Sequence, residues 1–179
     1  MTRTELTTFI KKYNIRIPKD HPDNLAIEAS FIKKNPSIVT ILKANKQEIM
    51  SIIREEQAEQ ERAIEERKAK IASIEGLEII RNAMQDMRRW QEEFDKSFEN
   101  VGGFGVREKP EYDFEEMERK YPRAAAYLKA EAYENASHYA KSAAGKEAKE
   151  KIINGEDYEK VIEEMEAKWH SHCSEHIWD

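Results

Sequence analysis

His170, His172, Cys173 and His176 fall within seven residues of the tail WHSHCSEHIWD. On a helix His172 and His176, four residues apart, share a face and present two imidazole nitrogens to zinc or nickel, with Cys173 nearby. Two converging ligands leave a tetrahedral zinc set incomplete. Cys173 is turned by about 100° from its neighbour His172 on a helix, and no HExxH pattern brings a general base. The remaining histidines, His21 and His138, are remote in sequence. A cysteine nucleophile activated by histidine is the catalytic version of the cluster, but no oxyanion-hole loop or orienting partner accompanies it. Without chemistry, Trp169, Cys173, His176 and Ile177 read as the packing face of a terminal helix. A metal- or thiol-dependent enzyme remains as an alternative, and no cofactor is expected.

The stretch VGGFGVREKPEYD has the glycines of a phosphate cradle. Neither the Lys-Ser/Thr of a P-loop nor the spacing of a dinucleotide fingerprint follows them, so the segment reads as a linker between two helical parts. Pairs of carboxylates are too frequent to single out a catalytic dyad, because Glu-rich helices place many at i and i+4. The expectation is a protein that binds another macromolecule and is not an enzyme.

Of the 179 residues 37% are charged and 39% hydrophobic, with six Gly and five Pro. Glu, Lys, Ala and Arg dominate, residues that lose little side-chain entropy in helices. A single cysteine cannot form an intramolecular disulfide. No stretch approaches the about 20 apolar residues of a membrane span, and MTRTELTTFI lacks the apolar run of a signal peptide. A cytoplasmic protein is expected. The net charge of −6 is uneven: residues 1–50 hold nine Lys and Arg against five Asp and Glu, the remainder 21 against 31. The acidic body argues against direct nucleic-acid binding and suits a basic protein groove, where complementary fields speed association.

The pattern along the chain predicts a mostly α fold: a small α-β-β-α-α N-terminal module, a long polar helix and a C-terminal helical bundle. In the head, Leu6, Phe9, Ile10 and Tyr13 recur at helical spacing behind Thr4 as a cap. Ile15 and Ile17 then alternate with polar neighbours as a strand would, KDHPDN is turn chemistry, and Leu25, Ile27 and Ala29 alternate again. A helix over 24–34 is the alternative to this second strand. Pro36 and Ser37 open two helical pieces with Ile38, Val39, Ile41 and Leu42, then Ile49, Ile52 and Ile53.

FIKKYNIRI, a turn, LAIEA and PSIVTILKANKQEIMSIIREE together resemble the TubC-type docking domain of nonribosomal peptide synthetases over roughly residues 1–55. That resemblance implies a helix, a hairpin and two helices that pair chains or grip a peptide. Ile15 and Ile17 on its strand edge become candidate partner-binding residues, and self-association into a homodimer becomes an alternative function.

Residues 56–100 read as long helices. Ile53, Ile64, Ile71 and Ile74 lie near a heptad seam that Gln57, Gln60 and Arg67 interrupt, so a solvated helix with pairs such as Glu66 and Lys70 is favoured over a coiled coil. Gly76 marks a break. Beyond it Leu77, Ile80, Met84, Met87 and Phe94, widened by Trp90 and Phe98, form a packing stripe; methionines also suit an adaptable binding surface. Residues 101–112 are the loop, and 113–179 the C-terminal helical domain. There a short helix precedes Pro122, which opens a helix carrying Ala125, Tyr127, Leu128, Ala132, Tyr133, Ala136 and Tyr139. A further helix runs through AAGKEAKEKII to an Asn154–Gly155 left-handed cap, and a last one from Asp157 presents Tyr158, Val161, Ile162, Met165 and Trp169.

The chain, above all from YPRAAAYLKAEAYENASHYA to the tail, is similar to small accessory proteins of phages and plasmids, among them relatives of the anti-CRISPR proteins that block type II RNA-guided nucleases. The resemblance implies a partner, an RNA-guided CRISPR nuclease with its guide RNA, and an effect, hindered target DNA binding or cleavage. It assigns no contact residues. The exposed acids Glu59, Glu65 and Glu66 of the 54–70 helix are the candidates that the acidic charge suggests.

Overall fold

A computed structural model of the chain describes residues 1–101 and 107–175, with the side chains at 98–101 and 175 excepted. The side chain of Phe98, the glycines at 102, 103 and 105, His176 and Ile177 therefore lie outside the described residues. Among those described, the regular structure is helical throughout: α1 (Arg3–Lys12), α2 (Ala29–Lys34), α3 (Ser37–Ala44), α4 (Lys46–Ala72), α5 (Leu77–Val101), α6 (Phe114–Lys120), α7 (Pro122–Glu134), α8 (Tyr139–Ile153) and α9 (Tyr158–Glu175). None of these helices is long and apolar enough to cross a membrane. The chain divides into two compact units, Met1–Glu66 and Arg67–Asp179, with the division inside α4.

In the first unit α1 starts at Thr2, two residues earlier than Thr4. Thr2 and Glu5 form a capping box: the Thr2 hydroxyl accepts from the Glu5 amide at 3.3 Å, and the Thr2 amide donates to Glu5 Oε2 at 2.7 Å. The far end closes on Asn14, whose φ of 48° is left-handed. The Ile15 amide donates back to the Ile10 carbonyl at 3.0 Å and the Asn14 amide to Lys11 at 3.3 Å. This is a Schellman cap, and Ile15 and Ile10 meet in the core as its hydrophobic contact.

That cap overturns the predicted hairpin. Among the described residues there is no β-strand; the expected pairing shrinks to one bridge, in which Arg16 and Ala26 exchange amide bonds of 3.1 and 2.8 Å. Pro18 has no N–H to extend the ladder, and turns occupy the residues between. The α-β-β-α-α module is thus a helical module with a looped excursion, and Ala29–Lys34 is helix α2. Leu6, Phe9, Ile10, Ile15, Ile38, Ile49, Ile52 and Ile53 form its core.

Every residue from Gln57 to Lys70 in α4 is exposed, as a solvated helix requires. The suggested heptad seam is not one surface: Ile53 is buried in the first core, Ile64 is 53% exposed, and Ile74 belongs to the core of the second unit. Lys70 donates to the Asn154 side chain at 3.0 Å, and Arg67 pairs with Glu150 at 2.6 Å.

The second unit is a bundle of α7, α8 and α9 with α5 and α6 against α7. Its core joins Ile74, Leu77, Ile80, Tyr127, Ile152, Val161 and Met165 to the alanines Ala124, Ala126, Ala130, Ala144 and Ala148. Gly145 lets α7 and α8 come close: a Cβ there would lie 2.6 Å from the Ala130 carbonyl oxygen. Pro122 occupies the first turn of α7 as expected. Asn154 and Gly155 close α8, with the Glu156 amide donating to Lys151 and the Gly155 amide to Ile152, both at 3.1 Å. One boundary differs: α7 stops at Glu134, and Tyr139 begins α8 as an exposed side chain instead of continuing the α7 stripe.

Candidate partner-binding groove

The histidine tail folds into an aromatic cluster. His138, at the start of α8, meets His172 of α9 with ring centroids 5.0 Å apart, and meets Trp169 at 5.0 Å. Lys141 Nζ lies over the Trp169 ring at 5.4 Å and the Tyr133 ring at 4.6 Å. The fold therefore joins His138 to His172 across a sequence gap that hid the relation. Cys173 is a half-buried free thiol, and His176 is outside the described residues. Among those described, no three His, Cys, Asp or Glu side chains are grouped to hold a metal.

The residues suggested for partner binding divide by exposure. Glu59, Glu65 and Glu66 are all exposed on α4. Ile15 is only 5% exposed and Ile17 half-buried against the same core, and with no strand among the described residues there is no sheet edge there to extend.

A different surface emerges in the second unit, and the α5 stripe leads to it. Leu77 and Ile80 are buried under α7, but Met84, one turn further, is 43% exposed, and Met87 is half-buried. The stripe keeps its helical spacing while the covering helix runs out. Opposite, Ala125, Leu128 and Ala132 of α7 share a face, and the two small side chains leave room beside Leu128. Phe114 of α6 and Tyr158 and Ile162 of α9 complete an apolar groove of about 760 Å³.

Local capping and ion pairs set these walls. Asp113 accepts from the Glu116 amide at 2.9 Å and fixes the start of α6 beside Phe114. Arg81 holds α5 to α7 through Glu131 at 3.2 Å; burial works against its charge, but Glu131 and Glu78 outweigh burial and raise its pKa. Arg123 of α7 donates to the Ile152 carbonyl at 2.6 Å, serving an open acceptor at the end of α8. Lys149 is buried between Glu134 at 2.6 Å and Glu131 at 3.6 Å, with its Nζ 5.3 Å from the centre of the Tyr127 ring. Burial opposes its ammonium, yet the Glu134 hydrogen bond and the surrounding negative charges carry its pKa above the usual lysine value.

A second opening, of about 870 Å³, shares Phe114 with the first and is lined by Met87, Lys109, Pro110, Glu111, Tyr112, Asp113 and Glu115. The returning chain is tied to α5 here. Arg107 Nη2 donates to Asp86 Oδ1 at 2.8 Å, Tyr112 Oη to Asp86 Oδ2 at 3.0 Å, and Trp90 Nε1 to the Arg107 carbonyl at 3.0 Å. The bonds from Arg107 and then Tyr112 hold the Asp86 carboxyl below its ordinary pKa. Sequence periodicity identifies the Met84 stripe but not where its cover ends; the alternation of Ala125 and Ala132 around Leu128 is the one signal of a hollow beside it.

Compared with protein-family models, curated proteins and solved structures, the chain matches none.

Proposed function

We propose that this chain is a binding protein without catalysis of its own, and that its second unit receives a partner protein in the groove between α5, α6, α7 and α9. The observation that carries this reading is the exposed Met84 above the apolar walls of that groove. Flexible, polarizable methionine beside a concave apolar surface is suited to an interface anchor, and fixed apolar grooves commonly receive ligands or partner side chains.

The partner in this proposal is an RNA-guided nuclease with its guide RNA, and the effect is obstruction of target DNA binding or cleavage. The resemblance of the C-terminal part to anti-CRISPR relatives motivates that choice. The net charge of −6 supports it physically, since such nucleases carry positively charged nucleic-acid channels. The exposed Glu59, Glu65 and Glu66 would act through long-range attraction, so reversing all three slows association and reduces its salt dependence.

A pull-down tests the reading. The full chain is immobilised and offered the purified nuclease with and without guide RNA and target DNA, at low and high salt. Retention that salt weakens supports it; no retention under any condition overturns the nuclease as partner.

A further inference from the structure

The charges around the groove specify what can enter it. Glu118 and Glu159 border the first opening, and Glu111, Asp113 and Glu115 border the second. None of these five carboxylates is ion-paired among the described residues. Both bordering lysines are engaged: Lys129 pairs with Glu166 at 2.6 Å, and Lys109 lies 5.8 Å from the centre of the Trp90 ring. The ring contact leaves the Lys109 charge in place, so among the described residues three carboxylates face one cation at the second opening, while Glu118 and Glu159 stand unpaired at the first. The apolar floor is fringed by a net negative charge. A phosphate backbone would be repelled there, as would an acidic peptide.

The walls also constrain the backbone of an occupant. Those of the first opening are helices alone, α5, α6, α7 and α9, so no sheet edge is offered to an extended chain. Only end groups lack an intrahelical partner, among them the first-turn amides of Phe114 and Tyr158 and the carbonyl of Glu118, whose i+4 residue is Pro122. These isolated groups cannot supply a ladder, so an extended peptide buried there would leave most of its backbone groups without partners, a cost that a helix avoids. Ile80, Met84 and Met87 stand at i, i+4 and i+7 on α5. They form an apolar line of about 10 Å, running from the buried Ile80 at the floor to the half-buried Met87, which matches about two turns of a facing helix.

We propose that the groove takes an amphipathic helix of a partner protein, its apolar face flanked by lysine or arginine. The inference rests on the reading that the second unit binds a protein in this groove, and it adds the chemistry of the segment bound. The apolar face packs on Met84, Leu128 and Ile162, while the basic flanks meet Glu118 of α6 and Glu159 of α9.

The test titrates the full chain into a labelled model helix and reads fluorescence anisotropy. The helix is about 18 residues, roughly five turns, with Leu at i, i+4, i+7 and i+11 and Lys at flanking positions. One comparison peptide has Glu for every Lys; another keeps the Lys composition but scrambles the apolar face. The Lys-flanked helix is expected to bind at least ~10-fold more tightly than either, and Met84→Asp to weaken it by a similar factor. The double variant Glu118→Lys, Glu159→Lys, on two exposed side chains, is expected to turn the preference toward the Glu-flanked helix.

Equal binding of the scrambled peptide would reduce the effect to net charge and overturn the proposal. Equal binding of the Lys- and Glu-flanked helices, both lost in Met84→Asp, would overturn the basic partner and leave the groove reading intact. Binding that a folded Met84→Asp chain retains in full would overturn both. A chain that sediments as a dimer, and as a monomer once Met84→Asp is made, would assign the groove to a second copy and likewise overturn the proposal.

Discussion

Tyr121 fills the space that a side chain on Gly76 would need. A Cβ built on Gly76 would lie 2.6 Å from Tyr121 Cβ and closer still to the ring, and the φ of Gly76 is +77°. The break between α4 and α5 thus depends on glycine twice, for its backbone conformation and for the room it leaves. Gly76→Ala is expected to cost about 3 kcal/mol or more, from the left-handed conformation together with overpacking. Gly155, with φ +88° and open space around it, separates the two causes. There the same substitution should cost only about 1 kcal/mol. Urea midpoints of the two variants measure the difference, and equal losses would mean the Tyr121 contact contributes nothing.

Lys149 is, among the described residues, the buried charged group beside the second core, at 8% exposure. Replacing it by Met removes the ammonium from between Glu134 and Glu131 and is expected to destabilise the chain by about 2 kcal/mol. Its pKa is raised on folding, so the stabilisation is complete below the ordinary lysine value of about 10.4 and is lost as pH rises through the higher folded value. The gap in urea midpoint between wild type and Lys149→Met should therefore be widest near neutrality and narrow in strong alkali. A gap independent of pH would show that the ammonium is not the stabilising group.

Asp86 gives the opposite sign. Its pKa is lowered by the Arg107 and Tyr112 hydrogen bonds, so the contact it supports is present above the unfolded aspartate value of about 3.9 and fades as pH falls through the folded one. Trp90 reports on this directly, because its Nε1 donates to the Arg107 carbonyl. In a chain with Trp169 and Trp178 replaced by Phe, Trp90 emission is expected to shift red in an acid transition below about pH 4. Asp86→Asn should abolish that transition; its persistence in the variant would assign the shift to another group.

These particulars show where the sequence was legible. Pro122 at the opening of α7 and Asn154–Gly155 at the close of α8 were readable because helix ends depend on local backbone chemistry. The face of α9 through Val161 and Met165 followed from periodicity. The hairpin failed because Ile15 and Ile17 alternate equally well after a Schellman cap, where Ile15 is the cap's apolar partner and not a strand residue. The apposition of His138 and His172 and the exposure of Met84 were not legible at all. Both depend on how helices distant in sequence pack against one another.

The head carries a further consequence of that correction. Ile15→Ala is expected to destabilise the first unit by about 2 to 4 kcal/mol as a buried core truncation, while partner binding by the second unit stays unchanged under folding conditions. Thermal unfolding followed beside the pull-down distinguishes the cases. Lost binding with unchanged stability would return Ile15 to a docking surface.

The groove is tested most directly by Met84→Asp, because Met84 is open enough to change without emptying the core. The measurement is the dissociation constant of the nuclease–guide complex for wild type and for Met84→Asp, with circular dichroism establishing that both are folded. A weakening of at least ~10-fold is predicted, about 1.4 kcal/mol of binding free energy. Wild-type affinity in the folded variant would contradict the assignment of this groove as the partner-binding surface.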